Sequence, residues 1–296
     1  MWIPITLAAA TFQILRTARQ HELRRVLSIV PAGFVRYAYG FPLAVVASLI
    51  TFGVVGSELP SPPARFWPII ASAGVAQILG TIALLRSFQL RDFAIGTVYV
   101  KTEVILVAIV SAVFLGEAMK PLGWVAAIVC MAGVAWLAAP DKITDILRMA
   151  GDPAALMGVA AGLGFAVAAA GIRAASNSLG DGPTWNRALL TLTVMLGIQT
   201  LVNSAQLAAS DGAALRDVFV NWRAAIPVGI LSVAGSACWA VAVTLTTATR
   251  VRTLGQVELV LAFAISAIWL RERHTRAEYA ASALVLVGVV GVVALG

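Results

Sequence analysis

Apolar residues in this chain neither alternate with polar ones, as on a half-buried strand, nor recur only at every third or fourth position, as on a surface helix. They run on for about 20 positions at a time, the length of a helix that crosses a bilayer. Ten such stretches lie near residues 3–22, 30–54, 67–86, 93–115, 121–139, 154–176, 186–208, 224–248, 251–270 and 277–295. A membrane barrel would need an alternation that these stretches lack. The breaks carry loop chemistry: Glu58-Leu59-Pro60-Ser61-Pro62-Pro63, Arg91-Asp92, Glu117 to Pro121, and Asp181-Gly182-Pro183. Short connections force neighbouring helices to be antiparallel.

The longest break, 140–153, holds Asp141, Lys142, Asp145, Arg148 and Asp152 with Ile143, Ile146 and Leu147 on one side. It reads as an amphipathic linker at the membrane surface between a first half, 1–139, and a second, 154–296. The first span is the least apolar, since Gln13, Arg16, Arg19 and Gln20 crowd its second part. A central Arg facing lipid costs about 2.5–3.5 kcal/mol, so these side chains are expected to face a watery interior.

Composition agrees with the pattern. Sixty per cent of the 296 residues are hydrophobic and 12% are charged, against about 25% charged in soluble domains. That balance excludes a cytosolic enzyme, a nucleic-acid binder and a disordered chain. The net charge of +7 has no basic run interleaved with aromatics; most cations sit between apolar spans. Cys130 and Cys238 both fall within apolar stretches and read as small core packers. The first charged side chain is Arg16, so the N-terminal stretch lacks the basic region of a signal peptide and reads as a retained first span.

Shifting the sequence by 155 residues lays Glu103–Glu117 over Glu258–Glu272, and the register continues through Gly133-Val134 on Gly288-Val289. Nine of 32 aligned positions are identical, the glutamates at both ends of the first stretch among them; bulk hydrophobicity does not produce paired glutamates. Five crossings per half put the second half into the membrane upside down, an arrangement characteristic of secondary transporters whose halves rock around a midplane site. The fold class expected is therefore all-α integral membrane, with ten transmembrane helices as two inverted five-helix repeats.

The duplicated pattern is a mid-helix glutamate, then a second glutamate fourteen residues on after Phe114-Leu115-Gly116 or Trp269-Leu270-Arg271. With Gly123-Trp124 and Gly133-Val134 in the helix that follows, it resembles the EamA family of the drug/metabolite transporter superfamily. The family usually has proline directly after the mid-helix glutamate, where this chain has Val104 and Leu259, so no proline kink is expected there. The resemblance implies a ten-helix bundle that moves small metabolites across a membrane, often outward, without ATP hydrolysis, here in a bacterial cytoplasmic membrane.

Ionisable residues inside a membrane mark pathways, because each is too costly to leave facing lipid. Glu103 lies near the centre of the fourth span, with Tyr99, Val107 and Ser111 on the same face at four-residue spacing. Lys101 is roughly on the opposite side, so either its long stem reaches around to Glu103 or it pairs with another helix. In the second half Glu258 matches Glu103, and Gln256 takes the place of Lys101. Two readings stand side by side: carboxylates facing a cavity that exchange a proton for substrate, or structural carboxylates held by an arginine elsewhere in the bundle. Arg36 and Arg187, at matching places in spans two and seven, suit a substrate carboxylate, a glutamate or a lipid headgroup. Arg16, Arg19 and Arg173 share that ambiguity. Gln13, Gln77, Thr81, Tyr37, Tyr39 and Trp239 are further lining candidates, against the more common role of mid-helix polar groups as bundle glue. Gly158 and Gly162 read as a close-packing pair, and Glu117 and Glu272 as interfacial.

Odd-numbered connections hold eleven cations against four in the even-numbered ones, which puts both termini outside; the family resemblance puts both inside. Only His21 and His274 are present, and there is no GxxxxGK[ST] loop, so neither a metal-dependent enzyme nor an ATP-driven pump is expected. The function expected is export of an amino acid or related metabolite, with a cationic-drug exporter, a passive channel or a helper membrane subunit as alternatives. No cofactor is expected. The partners expected are membrane lipids, a small-molecule substrate and protons, not nucleic acid, with the protein a monomer or homodimer.

Overall fold

The computed structural model describes residues 1–23, 26–90, 98–138, 152–261 and 275–296. The ninth span beyond residue 261, the linker expected over 140–153 up to residue 151, Glu272 and His274 lie outside the described residues. The described residues are helical, with no strand among them. In chain order the helices are α1 (Trp2–Leu23), α2 (Ile29–Ala38), α3 (Gly40–Ser48) running into a π-helical turn (Leu49–Val54), α4 (Phe66–Leu90), α5 (Glu103–Leu115), α6 (Pro121–Ala138), α7 (Pro153–Ser178), α8 (Thr184–Ser210), α9 (Gly212–Val220), α10 (Trp222–Leu245), α11 (Ala248–Gly255) and α12 (Arg276–Leu295).

Seven stretches among the described residues are long and apolar enough to cross a membrane: Val30–Val54, Phe66–Ser87, Val98–Leu115, Pro153–Ser178, Thr184–Ser210, Trp222–Leu245 and Arg276–Leu295. Their outer faces carry large apolar side chains in the open, among them Phe114 at 78% exposure, Leu201 at 72% and Val290 at 63%. Lipid, not water, suits such faces. Helix α1 has 22 residues, enough to span, but its glutamines and arginines make it less apolar than the other seven. Arg19 there donates to Glu22 at 2.9 Å, both side chains being 59% exposed, and Gln20 donates to the Ala32 carbonyl.

Local chemistry fixes the helix ends. Asp152 caps α7 by accepting from the Ala154 N–H at 2.9 Å, ahead of a proline at the first helical position. Thr275 and Glu278 form a reciprocal capping box on α12. Helix α5 stops at Gly116, whose φ of 68° is left-handed and turns the chain so that the Glu117 N–H reaches back to the Ser111 carbonyl.

The chain forms two compact units, Met1–Val75 with Gly171–Leu245, and Ala76–Ala170 with Thr246–Gly296. The first takes one piece from each sequence half, while the second's piece Ala76–Ala170 covers the end of the first half and the start of the second; the divisions fall inside α4 and α7. In the first unit, α1 lies along α10, and α8 packs on α2, α3 and α10 around Phe34, Val35, Tyr37, Leu192, Leu196 and Val228. Thr193 bonds Ser48 at 2.9 Å, and Thr200 donates to the Tyr37 carbonyl at 3.1 Å. Arg173 donates to the Val243 carbonyl at 2.7 Å, near the end of α10.

In the second unit α6 and α12 lie in close contact. A Cβ on Gly133 would fall 2.6 Å from the Val285 nitrogen, and Gly288 is seated just as closely on Cys130. Farther along, Gly291 meets Ala126 and Gly123 meets Gly296. Residue numbers rise on one helix as they fall on the other, so α6 and α12 are antiparallel. Gly133 and Gly288 are repeat mates, as are Cys130 and Val285; each glycine sits on the mate of the other's neighbour, the reciprocity of a two-fold contact.

Candidate functional site

Both glutamate-bearing helices are interrupted just before their glutamates. The fourth span is helical over 98–101, breaks at Thr102 and resumes as α5; the ninth is helical over α11, breaks at Gln256 and resumes over 257–261. No proline makes these breaks. In a regular helix the Tyr99 carbonyl would accept from the N–H four residues on, that of Glu103. Here the Thr102 hydroxyl at 2.6 Å and the Thr102 N–H at 3.2 Å take it instead. Likewise the Arg252 carbonyl accepts from the Gln256 side-chain amide at 3.1 Å, while the Gln256 N–H turns to the Thr253 carbonyl at 3.0 Å. Side chains compete with the backbone for one carbonyl in each helix and tighten the turn. Gly162 leaves room for the first break: a Cβ there would lie 2.9 Å from the Val100 carbonyl oxygen and 3.1 Å from the Glu103 nitrogen.

At the breaks four charges pair crosswise. The Lys101 ammonium donates to Glu258 Oε1, and the Arg252 guanidinium donates to Glu103 Oε1. Each carboxylate is thus held by a cation from the other span. The side chains of Lys101 and Glu258 are each 13% exposed, those of Arg252 and Glu103 19% and 5%. Two cations and two anions sum to zero, so the cluster places no net charge in an apolar layer, yet removing any one member strands its partner. Arg252 falls outside the sequence-based candidates, because its position at the start of the ninth span reads as loop charge. Its signal is its place six residues before Glu258, inside the ninth span as its apolar run is bounded, 251–270.

Of the ten candidates, Lys101, Glu103, Gln256 and Glu258 come together at this cluster. Tyr99 lies in the second unit too, on the segment before the break at Thr102; it packs with Val98 and Ala155, while Glu103, Val107 and Ser111 stay buried on α5. Gln77 is half-buried on α4. In the first unit, Gln13 and Trp239 are half-buried on α1 and α10, which pack together. Arg36 lies over the Tyr37 ring at 5.0 Å. Arg187 is near the start of α8, beside Asn186, which donates to the Glu58 carbonyl. Tyr37 meets α8 at Thr200 instead. Thirteen residues of helix, about 20 Å, separate these two levels, so Arg36 and Arg187 sit toward opposite ends of α8 and do not share a ligand. Among the described residues no three His, Cys, Asp or Glu side chains are gathered to hold a metal ion.

The model of the EamA-like transporter family matches residues 2–139 and again 153–294. The chain belongs to the EamA-like transporter family. It is accordingly a multi-pass membrane transporter of the drug/metabolite type, built from two EamA repeats. A solved structure, described only as a crystal structure of protein, superposes with a TM-score of 0.69 at 15% identity, covering 98% of this chain and 96% of its own; at that identity the likeness is one of fold. No curated protein matches the chain.

Proposed function

We propose that this EamA-family chain is a secondary carrier that exports an amino acid or related small metabolite by alternating access. Adding α1, α6 and the stretch that begins at α11 to the seven apolar spans gives ten crossings, five in each of the halves 1–139 and 154–296. The antiparallel, reciprocal contact of the repeat-related helices α6 and α12 supports inversion of one half relative to the other. Inverted halves exchange roles between outward-open and inward-open states of similar energy.

The observation that carries the reading is the crosswise pairing at the two helix breaks. Interrupted helices are where such carriers place their sites. A buried neutral set of four charges lets the two spans move past one another without carrying net charge through the bilayer. A ligand carboxylate competes for Lys101 or Arg252, and a ligand amine for Glu258 or Glu103. Tyr99 and Gln77 in the second unit, and Gln13, Trp239, Arg36 and Arg187 in the first, are proposed as further pathway residues, each within its own unit. The setting proposed is a bacterial cytoplasmic membrane, with lipids and substrate as partners.

Counterflow in proteoliposomes tests this directly, with labelled amino acids, organic acids and lipophilic cations as the panel. Saturable exchange of an amino acid is the expected result. Flux that never saturates makes the protein a channel, and exchange confined to lipophilic cations makes it a drug exporter.

A further inference from the structure

Thr249 and Thr253 on α11, and Gln256 at the break that ends it, lie at i, i+4 and i+7, along one face. They are 1%, 0% and 3% exposed. The Thr249 and Thr253 hydroxyls and the Gln256 amide oxygen have no hydrogen-bond partner among the described residues. Thr244 and Thr191, by contrast, turn their hydroxyls onto the carbonyl four residues back, at 2.7 and 2.8 Å; the Ser111, Ser232 and Ser282 hydroxyls also lack a partner among the described residues, but each stands on a different helix. Polar groups that glue helices together bond across the interface, and these do not. Arg252, on the same face, delivers its guanidinium to Glu103. A row of hydrogen-bonding oxygens therefore runs about 10 Å along α11, from the turn at 246–247 to the paired charges.

The row has no counterpart in the first half. At the positions 155 earlier the chain has Ala94, Val98 and Lys101, and Val98 is buried among apolar neighbours. In inverted halves these two segments approach the break from opposite membrane faces.

We infer that Thr249, Thr253 and Gln256 form a one-sided proton route, joining the membrane face at which α11 begins to the Glu103 and Glu258 carboxylates. The inference rests on the carrier reading and adds the direction from which protons arrive. Each hydroxyl accepts one proton and passes on its own; water bridges the gap of about 6 Å between successive turns, and the Gln256 oxygen orients the last of it. The proton ends on Glu103, whose carboxylate becomes a neutral acid and releases Arg252, which keeps its charge. The cluster passes from zero to +1 and returns when the proton leaves. The charged groups on the elements packed against α11 are Lys101 and Glu103 beside the breaks, Glu258 beyond Gln256, and Arg276 and Glu278 at the start of α12; α11 itself carries Arg250 and Arg252.

The test uses the reconstituted full chain, an internal pH dye and counterflow of whichever panel compound exchanges. In Thr249→Val/Thr253→Val, which keeps shape and removes both hydroxyls, proton movement coupled to net transport falls at least tenfold, while counterflow without a pH gradient stays within twofold of wild type. Thr249→Ser/Thr253→Ser retains proton movement, which separates a lost hydroxyl from a lost fit. Equal proton movement in the Val and Thr proteins overturns the route, as does wild-type net transport with no proton movement. Absence of exchange for every panel compound instead contradicts the carrier reading beneath it.

Discussion

Arg252 donates to Glu103 across two interrupted helices, and the side chain it holds is only 5% exposed. The pair sits where the repeats carry matching glutamates, but its cation has no repeat mate of like charge: 155 residues earlier the chain has Thr97. Lys101 likewise matches Gln256. The two halves thus supply the anions symmetrically and the cations asymmetrically, and the asymmetry is what lets each span neutralise the other.

Removing one partner of this pair leaves a buried charge uncompensated. Arg252→Met is expected to destabilise the protein by about 3–5 kcal/mol, whereas Glu103→Met/Arg252→Met recovers most of that loss. Thermal unfolding in detergent, followed by intrinsic fluorescence, reads both. A double variant as unstable as the single one would show that Arg252 supports the fold through other contacts.

Much of this architecture is legible from residue order. Uninterrupted apolar runs give the helices, and the 155-residue repeat gives the glutamates, because a carboxylate pair at matching depth has no explanation in hydropathy. The helix breaks are not legible in the same way. They come from the Thr102 hydroxyl and the Gln256 amide capturing one carbonyl each, whereas neither residue type is a helix breaker by propensity, and the positions where proline would advertise a kink hold Val104 and Leu259. Arg252 is missed for a related reason: α11 begins directly after the turn at 246–247, so a cation one turn inside the helix looks like part of a connection. Arg36 and Arg187 match along the sequence yet lie toward opposite ends of α8. Similarity of sequence place is therefore not proximity.

Gly133 and Gly288 have no room for a methyl group, in contrast to Gly33 and Gly53, which have nothing within 4 Å of a Cβ. Gly133→Ala and Gly288→Ala are each expected to cost about 1–3 kcal/mol through overpacking of α6 against α12, with similar values because the two contacts are reciprocal. Gly33→Ala serves as the control and leaves the melting temperature near that of wild type. A large loss at only one of the two mates would argue against the two-fold contact.

The proposed inversion of the two halves has a consequence for labelling. Lys120 and Arg276 are exposed and precede or begin the repeat-related helices α6 and α12. In a background with Cys130→Ala and Cys238→Ala, Lys120→Cys and Arg276→Cys are expected to react with a membrane-impermeant thiol reagent from opposite sides of sealed vesicles. Reaction from the same side would place both halves in one orientation.

The most direct measurement of the central claim is counterflow by Glu103→Gln beside wild type, each shown to be folded by its elution profile and melting curve. The amide keeps the size of the side chain and removes the charge that Arg252 and, through the crosswise set, the second span respond to. Exchange abolished or uncoupled in a folded protein is the predicted result; unchanged exchange with unchanged dependence on pH would contradict it.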